Sequence, residues 1–273
     1  MTSEPEFAGF ARLIDSLSPW LEQVVIIGGW AHRLYRLHPS AQALDYPALT
    51  TLDTDVALPA RLEVKEQDIH ERLLANGFHE EFLGEDRPPA THYHLGGESS
   101  EFYAEFLTPL VGSAYSRRGR SNATARIGGV SSQRLRYIEL LLNSPWQVTL
   151  DQSTVLSATG QFRVRVANPV AFIVQKMLIY QKRSPLQRAK DILYIHDTLQ
   201  TFGARLDELR AEWQDSVRPL LPAKGAHVAD ISATLFEAMS DPIRAAALMG
   251  VGRTLSAEAI RETCAFGLGR IFG

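Results

Sequence analysis

The chain has 273 residues, of which 45% are hydrophobic and 22% charged, a composition typical of a globular protein with a buried core. Its one cysteine, Cys264, excludes a disulfide framework and a cysteine-based zinc site. The formal net charge of −3 hides an asymmetry, because residues 1–105 carry 18 acids against 7 bases and residues 106–190 carry 13 bases against 2 acids.

The basic stretch has two interpretations: its cations lie on solvated faces, or they form a surface that binds a polyanion such as a triphosphate or RNA. The residues singled out are Arg117, Arg118, Arg120, Arg126, Arg134, Arg136, Lys176, Lys182, Arg183, Arg188 and Lys190. The N-terminal sequence lacks the features of a signal peptide, and no apolar run approaches the roughly 20 residues that cross a bilayer. We therefore expect a cytoplasmic protein with no membrane partner.

In chain order, hydrophobic periodicity first predicts alternating helices and strands. Helices are expected at residues 7–17, 30–36 and 66–75, and strands at 24–27, 52–58, 78–83, 91–95, 102–107, 135–142, 147–150 and 162–166. Phe10, Leu13, Ile14 and Leu17 would form the buried face of the first helix.

After residue 168 the pattern becomes helical. Asn168 is suited to cap a helix that begins at Pro169, and helices are expected at 170–181, 185–201, 204–213, 228–239, 242–249 and 257–266. We therefore predict an α+β fold, with a mixed sheet and flanking helices in an α/β domain at residues 1–167 and a helical domain at 168–273.

Two short motifs carry chemistry. The strand at 24–27 ends in Gly28-Gly29, where bare backbone N–H groups at a helix start suit a phosphate. Asp53 and Asp55 lie at i and i+2 on the next strand, so their carboxylates share a face about 6 to 7 Å apart and can hold divalent cations. Together these motifs predict a site for magnesium and a nucleoside triphosphate.

Other residues have two interpretations each. His32 follows the glycines and either touches a phosphate or packs in the core. His92 and His94 have the spacing of a zinc site without an evident third ligand, or they belong to a strand surface. Lys176 lies on an apolar face, where it either binds an anion or extends to solvent.

The glycine pair at 28–29, the run Thr-Leu-Asp-Thr-Asp at 51–55 and the strand Tyr-Ala-Glu-Phe-Leu at 103–107 resemble the nucleotidyltransferase (polymerase-β-like) superfamily. Residues 168–178, with Arg183 and the pair Lys190-Asp191, are similar to the helical region of bacterial nucleotidyltransferase-like proteins. Among these relatives are the toxins of AbiE-type and MenT-type toxin–antitoxin systems.

The resemblance implies a site built on two Mg²⁺ ions. It implies that Asp53, Asp55 and Glu105 are both the catalytic residues and the metal ligands, with Glu101 as a competing candidate for the third acid. The nucleotide-binding residues that it implies are Gly28, Gly29, His32, Lys176, Lys190 and Asp191. Asp191 would orient Lys176 towards the triphosphate, or else be a surface acid.

The resemblance also implies a reaction: transfer of a nucleoside monophosphate from a nucleoside triphosphate to an acceptor hydroxyl, with release of pyrophosphate. The implied acceptor is tRNA or another RNA, and a toxin of this type would have an antitoxin protein as a partner. Two alternatives stay open, namely a non-catalytic nucleotide-binding or partner-binding module of the same fold, and an enzyme that modifies a small molecule such as an antibiotic.

Overall fold

The computed structural model describes residues 5–84, 89–96, 102–113, 122–151, 160–250 and 252–273. The chain divides into two compact units. The first comprises Met1–Leu37 and Thr50–Ala167, and the second comprises His38–Leu49 and Asn168–Gly273. The short segment 38–49 therefore groups with the part of the chain that follows residue 167.

The first unit contains strands and helices in alternation. Its strands are β1 (Val25–Ile26), β2 (Asp53–Ala57), β3 (Phe78–Leu83), β4 (Ala90–Leu95), β5 (Tyr103–Pro109), β6 (Thr124–Ile127), β7 (Val130–Leu135), β8 (Trp146–Leu150) and β9 (Phe162–Val166). Its helices are α1 (Pro5–Ser16), α2 (Gly28–Leu34), α3 (Ile69–Ala75) and α4 (Ile138–Leu142).

Within the described residues, nine strands form one sheet in the order β3-β4-β5-β2-β1-β9-β8, and β7 pairs with β5 and β6. β5 is parallel to β2 and antiparallel to β4, while β2 is antiparallel to β1. The sheet is thus mixed, and with its helices it confirms the predicted α+β fold class. β2 and β5 lie side by side at its centre, so residues from distant parts of the chain meet there.

The core of the first unit is aromatic and aliphatic. The predicted face of α1, formed by Phe10, Leu13, Ile14 and Leu17, is fully buried. Phe10 stacks on Trp30 of α2 with 4.0 Å between ring centroids. Burial of each such side chain stabilises the fold by roughly 1.5–3 kcal/mol, so α1 and α2 are held firmly together.

The second unit is helical over most of its length. Its helices are α5 (Pro169–Ile179), α6 (Pro185–Thr201), α7 (Leu206–Glu212), α8 (Gly225–Glu237), α9 (Asp241–Leu248) and α10 (Ala257–Phe272). The Asn168 side chain accepts hydrogen bonds from the backbone N–H groups of Val170 and Ala171, at 2.8 and 3.2 Å, so the predicted cap of α5 is confirmed. In the described part of the chain, no helix is both long and apolar enough to cross a membrane.

The prediction for residues 115–142 is wrong in two places. The sequence analysis predicts no helix or strand between residues 115 and 133, yet β6 and β7 form a hairpin there. The hairpin turns through Gly128 and Gly129, whose positive φ angles of 57° and 79° suit a tight turn. The strand expected at 135–142 is instead the end of β7 followed by α4. The apolar run at 138–142 is buried in either form, and a run this short does not distinguish strand from helix.

Candidate active site

The glycine turn between β1 and α2 lies against β2. Gly28 has a φ of +63°, a left-handed conformation that glycine adopts without strain, and a Cβ atom there would overlap the carboxylate of Asp55. The backbone N–H of Ile27 donates to the carbonyl of Asp55 at 3.0 Å. Only glycine therefore allows this turn and the Asp55 side chain to lie so close together.

Two rows of polar side chains cross four neighbouring strands on the same face of the sheet. In each row, residues are direct cross-strand partners, whose side chains point to the same side. The first row is Glu81, His92, Glu105 and Asp55, and the second is His79, His94, Tyr103 and Asp53. We call these eight residues the polar face. On β2 and β5 the alternate residues, such as Thr54, Ala104 and Phe106, are buried.

The three predicted acids lie on this polar face. Asp55 is the direct partner of Glu105, and Asp53 is two residues before Asp55 on β2. The Thr51 hydroxyl donates to Asp53 Oδ1, and Glu105 Oε1 lies 2.5 Å from His92 Nε2. The competing candidate Glu101 lies outside the described residues.

The oxygens of these acids are not packed around one point. Among the described residues, only Glu81, His92 and His94 form a group of three whose ligand atoms all lie within 4.8 Å of one another. Asp53, Asp55 and Glu105 do not form such a group.

Tyr103 reports the electrostatic character of this region. Burial raises the pKa of its phenol above the ordinary value, and the negative charges of Asp53, Glu105 and Asp55 raise it further. The phenolate is disfavoured because these carboxylates surround it with negative potential. Cations are the ligands that such a site favours, and hard oxygen donors favour Mg²⁺ in particular.

The outer part of the polar face carries imidazoles. His94 Nε2 lies 2.8 Å from Glu81 Oε2, and its ring stacks on His79 at 5.5 Å between centroids. Burial lowers the pKa of His94, and the nearby His92 and His79 lower it further against the opposing charge of Glu81. No third ligand for His92 and His94 is evident from the sequence, and the register of β3 with β4 supplies Glu81.

His32 belongs to α2, four residues after Gly28. It is 1% exposed within α2, and its ring is 6.3 Å from the ring of Tyr35 in an edge-on arrangement. The packing alternative considered for this residue agrees with its burial.

The predicted lysine and acid of the helical region form a buried pair in the second unit. Lys176 Nζ donates to Asp191 Oδ1 at 2.7 Å and lies 4.6 Å from the ring centres of both Phe172 and Tyr194. Arg183 donates to the second oxygen of Asp191 at 3.1 Å. Lys176 therefore does not extend to solvent, and Asp191, at 1% exposure, is not a surface acid. The neighbouring Lys190 places its ammonium 5.6 Å from the ring of Tyr194.

A second buried charge network in this unit is not evident from the sequence. Arg253 donates to both carboxylate oxygens of Asp197 at 2.7 and 2.8 Å, and His196 Nδ1 lies 2.8 Å from Asp197 Oδ1. The Arg253 guanidinium stacks 3.7 Å above the ring of Tyr46, which belongs to segment 38–49. No sequence spacing connects residues so far apart, so only the fold reveals this network.

The basic stretch is partly structural. Arg165 donates to the carbonyl of Glu22 at 2.6 Å, and Arg188 donates to the carbonyl of Tyr180 at 3.2 Å. These arginines hold backbone segments together instead of facing solvent alone. Three members of the stretch, Arg117, Arg118 and Arg120, lie outside the described residues.

A family model described as "Nucleotidyltransferase" matches residues 6–218, which include the complete polar face and the glycine turn. No curated protein matches the chain.

Proposed function

This chain belongs to the nucleotidyltransferase family, and we propose that it transfers a nucleoside monophosphate from a nucleoside triphosphate to an acceptor hydroxyl in a Mg²⁺-dependent reaction. The observation that carries the proposal is the position of Asp53, Asp55 and Glu105 on one face of two adjacent strands beside Gly28. Three acids there have no structural reason to be grouped, because like charges side by side on a sheet destabilise it.

The donor set fits magnesium. Asp53, Asp55 and Glu105 offer only carboxylate oxygens, which suit Mg²⁺. Burial is the main cause of the raised pKa of Tyr103, and the negative charges of these acids, which a cation would neutralise, raise that pKa further. When bound, the ions would stabilise the charge that develops on the attacking and leaving oxygens of the phosphoryl group.

The remaining steps fall to the side chains themselves. The acceptor oxygen forms a bond to the α-phosphorus as the bond from that phosphorus to the β-phosphate oxygen breaks, so pyrophosphate leaves. Glu105 would take the proton of the acceptor hydroxyl, and His92 Nε2, 2.5 Å from Glu105 Oε1, would hold this carboxylate in position. Gly28 lets the turn lie close against the Asp55 carboxylate, and the backbone N–H groups of Gly28 and Gly29 at the start of α2 would bind the phosphates.

We propose RNA, such as the 3′ end of a tRNA, as the acceptor. The 13 bases against 2 acids in residues 106–190 favour a polyanion over a cationic small molecule such as an aminoglycoside. We also propose a toxin-like role, as the resemblance implies: nucleotides added to the 3′ end of a finished tRNA would block aminoacylation and so stop translation, and such a role implies an antitoxin partner.

The direct experiment uses each nucleoside triphosphate labelled at the α-phosphate, with Mg²⁺ and total RNA. We expect label on RNA together with released pyrophosphate, and a loss of at least about 100-fold for Asp53→Asn and for Asp55→Asn. Asp45→Asn, the same chemical change at an exposed acid, is the matched control and should keep full activity.

The outcomes separate the parts of the proposal. Full activity of Asp55→Asn would refute the assignment of the site. Pyrophosphate release that requires a small-molecule fraction instead of RNA would refute the RNA acceptor but keep nucleotidyl transfer. Absence of any product with all triphosphates and acceptors would favour a binding module of the same fold. Growth arrest on expression that disappears with Asp55→Asn would support the toxin-like role.

A further inference from the structure

The polar face holds a second group of potential ligands, separated from Asp53 and Asp55 by strand β5. Each of Glu81, His92 and His94 contributes one ligand atom to a group in which all atoms lie within 4.8 Å of one another. We propose that these three residues bind a transition-metal ion of the Zn²⁺ class, at a site distinct from the proposed Mg²⁺ site. This inference does not depend on the transfer reaction.

The chemistry of the donors favours such an ion over magnesium. Two imidazoles and one carboxylate form a common three-residue ligand set for Zn²⁺, with the fourth position left to water. Imidazole suits Zn²⁺, Co²⁺, Ni²⁺ and Cu²⁺, whereas Mg²⁺ selects oxygen donors. The polar face thus offers a nitrogen-rich group on β3 and β4 and an oxygen-only group on β2 and β5.

The distances are close to those of a tetrahedral site. Ligands about 2.0–2.2 Å from a zinc ion lie roughly 3.4 Å from one another. His94 Nε2 and Glu81 Oε2 are now 2.8 Å apart, and no pair in the group exceeds 4.8 Å. Small side-chain rotations would therefore bring all three around one ion.

The pairing of β3 with β4 already brings the three proposed ligands close together. Glu81 is the direct cross-strand partner of His92, and His94 lies two residues along the same strand on the same face. The ring of His92 stacks on Tyr103 at 4.3 Å between centroids, which limits its rotation. A site that needs little ordering on binding loses little conformational entropy.

Glu105 adds the outer contact that histidine ligands usually have. Its carboxylate lies 2.5 Å from His92 Nε2, as in the carboxylate–histidine–metal arrangements that orient a ligand ring. The same Glu105 is the third acid of the proposed Mg²⁺ site. An ion bound to His92 would therefore restrain the carboxylate that we assign to proton transfer.

The competing explanation is an ordinary surface ion pair between Glu81 and His94. Glu81 is 53% exposed, and such a pair contributes at most about 1 kcal/mol. Such a pair does not involve His92, whose ligand atom lies within 4.8 Å of those of both partners. Direct metal binding separates the two explanations.

The test uses the full chain without a histidine tag, dialysed against a chelator and titrated with Co²⁺, whose visible absorption reports tetrahedral coordination. Zn²⁺ is then added in competition. We expect one Co²⁺ per chain, displaced by Zn²⁺ and not by Mg²⁺. We also expect affinity reduced at least about 100-fold in His94→Ala and in Glu81→Gln. Circular dichroism checks that both variants are folded.

Two controls define the location of the ion. His227→Ala removes an exposed histidine of the second unit, and Asp53→Asn changes the proposed Mg²⁺ site; both should keep the Co²⁺ spectrum. The proposal is overturned by a wild-type protein without a tetrahedral Co²⁺ spectrum, or by a spectrum that survives His94→Ala. Loss of Co²⁺ in Asp53→Asn with retention in His94→Ala would place the ion at the carboxylates and also overturn it.

Discussion

Substitution of Gly28 by alanine tests the contact on which the candidate active site depends. The change adds a single methyl group at a residue whose φ is +63°. That methyl would overlap the carboxylate of Asp55, so either the turn or the carboxylate must move. The perturbation therefore reaches a proposed metal ligand without changing any charged residue.

Two contributions set the magnitude. A left-handed backbone conformation costs an alanine roughly 1–2 kcal/mol relative to glycine. Insertion of a methyl group into a filled space costs about 1–3 kcal/mol more. Gly112 provides a matched control, because its φ is +83° and an added Cβ would meet no atom of the described residues within 4 Å. Gly112→Ala should therefore lose only the first contribution in urea unfolding.

The activity assay separates the two glycines further. Displacement of a catalytic group by about 1 Å can reduce turnover about 100-fold, so Gly28→Ala should be nearly inactive and should need more Mg²⁺. Gly112→Ala should transfer label at the wild-type rate. If Gly28→Ala and Gly112→Ala have equal activity and equal stability, the close approach of Gly28 to Asp55 is not required and the site assignment fails.

Three further predictions follow from buried groups. Asp191→Asn leaves the Lys176 ammonium buried without its anion and should lower the free energy of unfolding in urea by about 3–5 kcal/mol. The double variant Lys176→Met with Asp191→Leu should recover most of this loss. Equal losses of unfolding free energy in the single and double variants would contradict the pairing. Asp53→Asn removes a negative charge that raises the pKa of Tyr103, so this pKa should fall in an ultraviolet titration, and an unchanged pKa would mean that the two side chains do not interact. Burial raises the pKa of the Cys264 thiol, so at pH 8 it should react with a thiol reagent far more slowly in the native protein than in urea, and equal rates would show that it is accessible.

The parts of the site that follow a strand or helix period could be predicted from the sequence. Asp53 and Asp55 share a face because of the two-residue period of β2, and the alternation in β5 puts Glu105 on the same side as Tyr103. The cap at Asn168 is likewise a local signal, since the side chain reaches backbone N–H groups two and three residues ahead. Each of these features involves residues that are close in sequence.

The parts that depend on strand register or on distant contacts could not be predicted. The sequence does not determine which residue of β3 faces His92, so Glu81 was missed as a ligand until the pairing of β3 with β4 was known. The hairpin of β6 and β7 does have a local signal in the sequence, because the pair Gly128-Gly129 is typical of a tight hairpin turn. The network of Asp197 and Arg253 had no such signal, because its members are separated by 56 residues.

Segment 38–49 has a consequence for the order in which the protein matures on the ribosome. The backbone N–H of Gln42 in this segment donates to the carbonyl of Thr201, and Arg253 stacks on Tyr46. Both partners lie far downstream in the chain. At about 5–20 residues per second, the 207 residues from Tyr46 to Arg253 take roughly 10 to 40 s to synthesise. During that interval the segment is a nascent loop without its native neighbours, and proteolytic sensitivity of stalled chains should be greatest there.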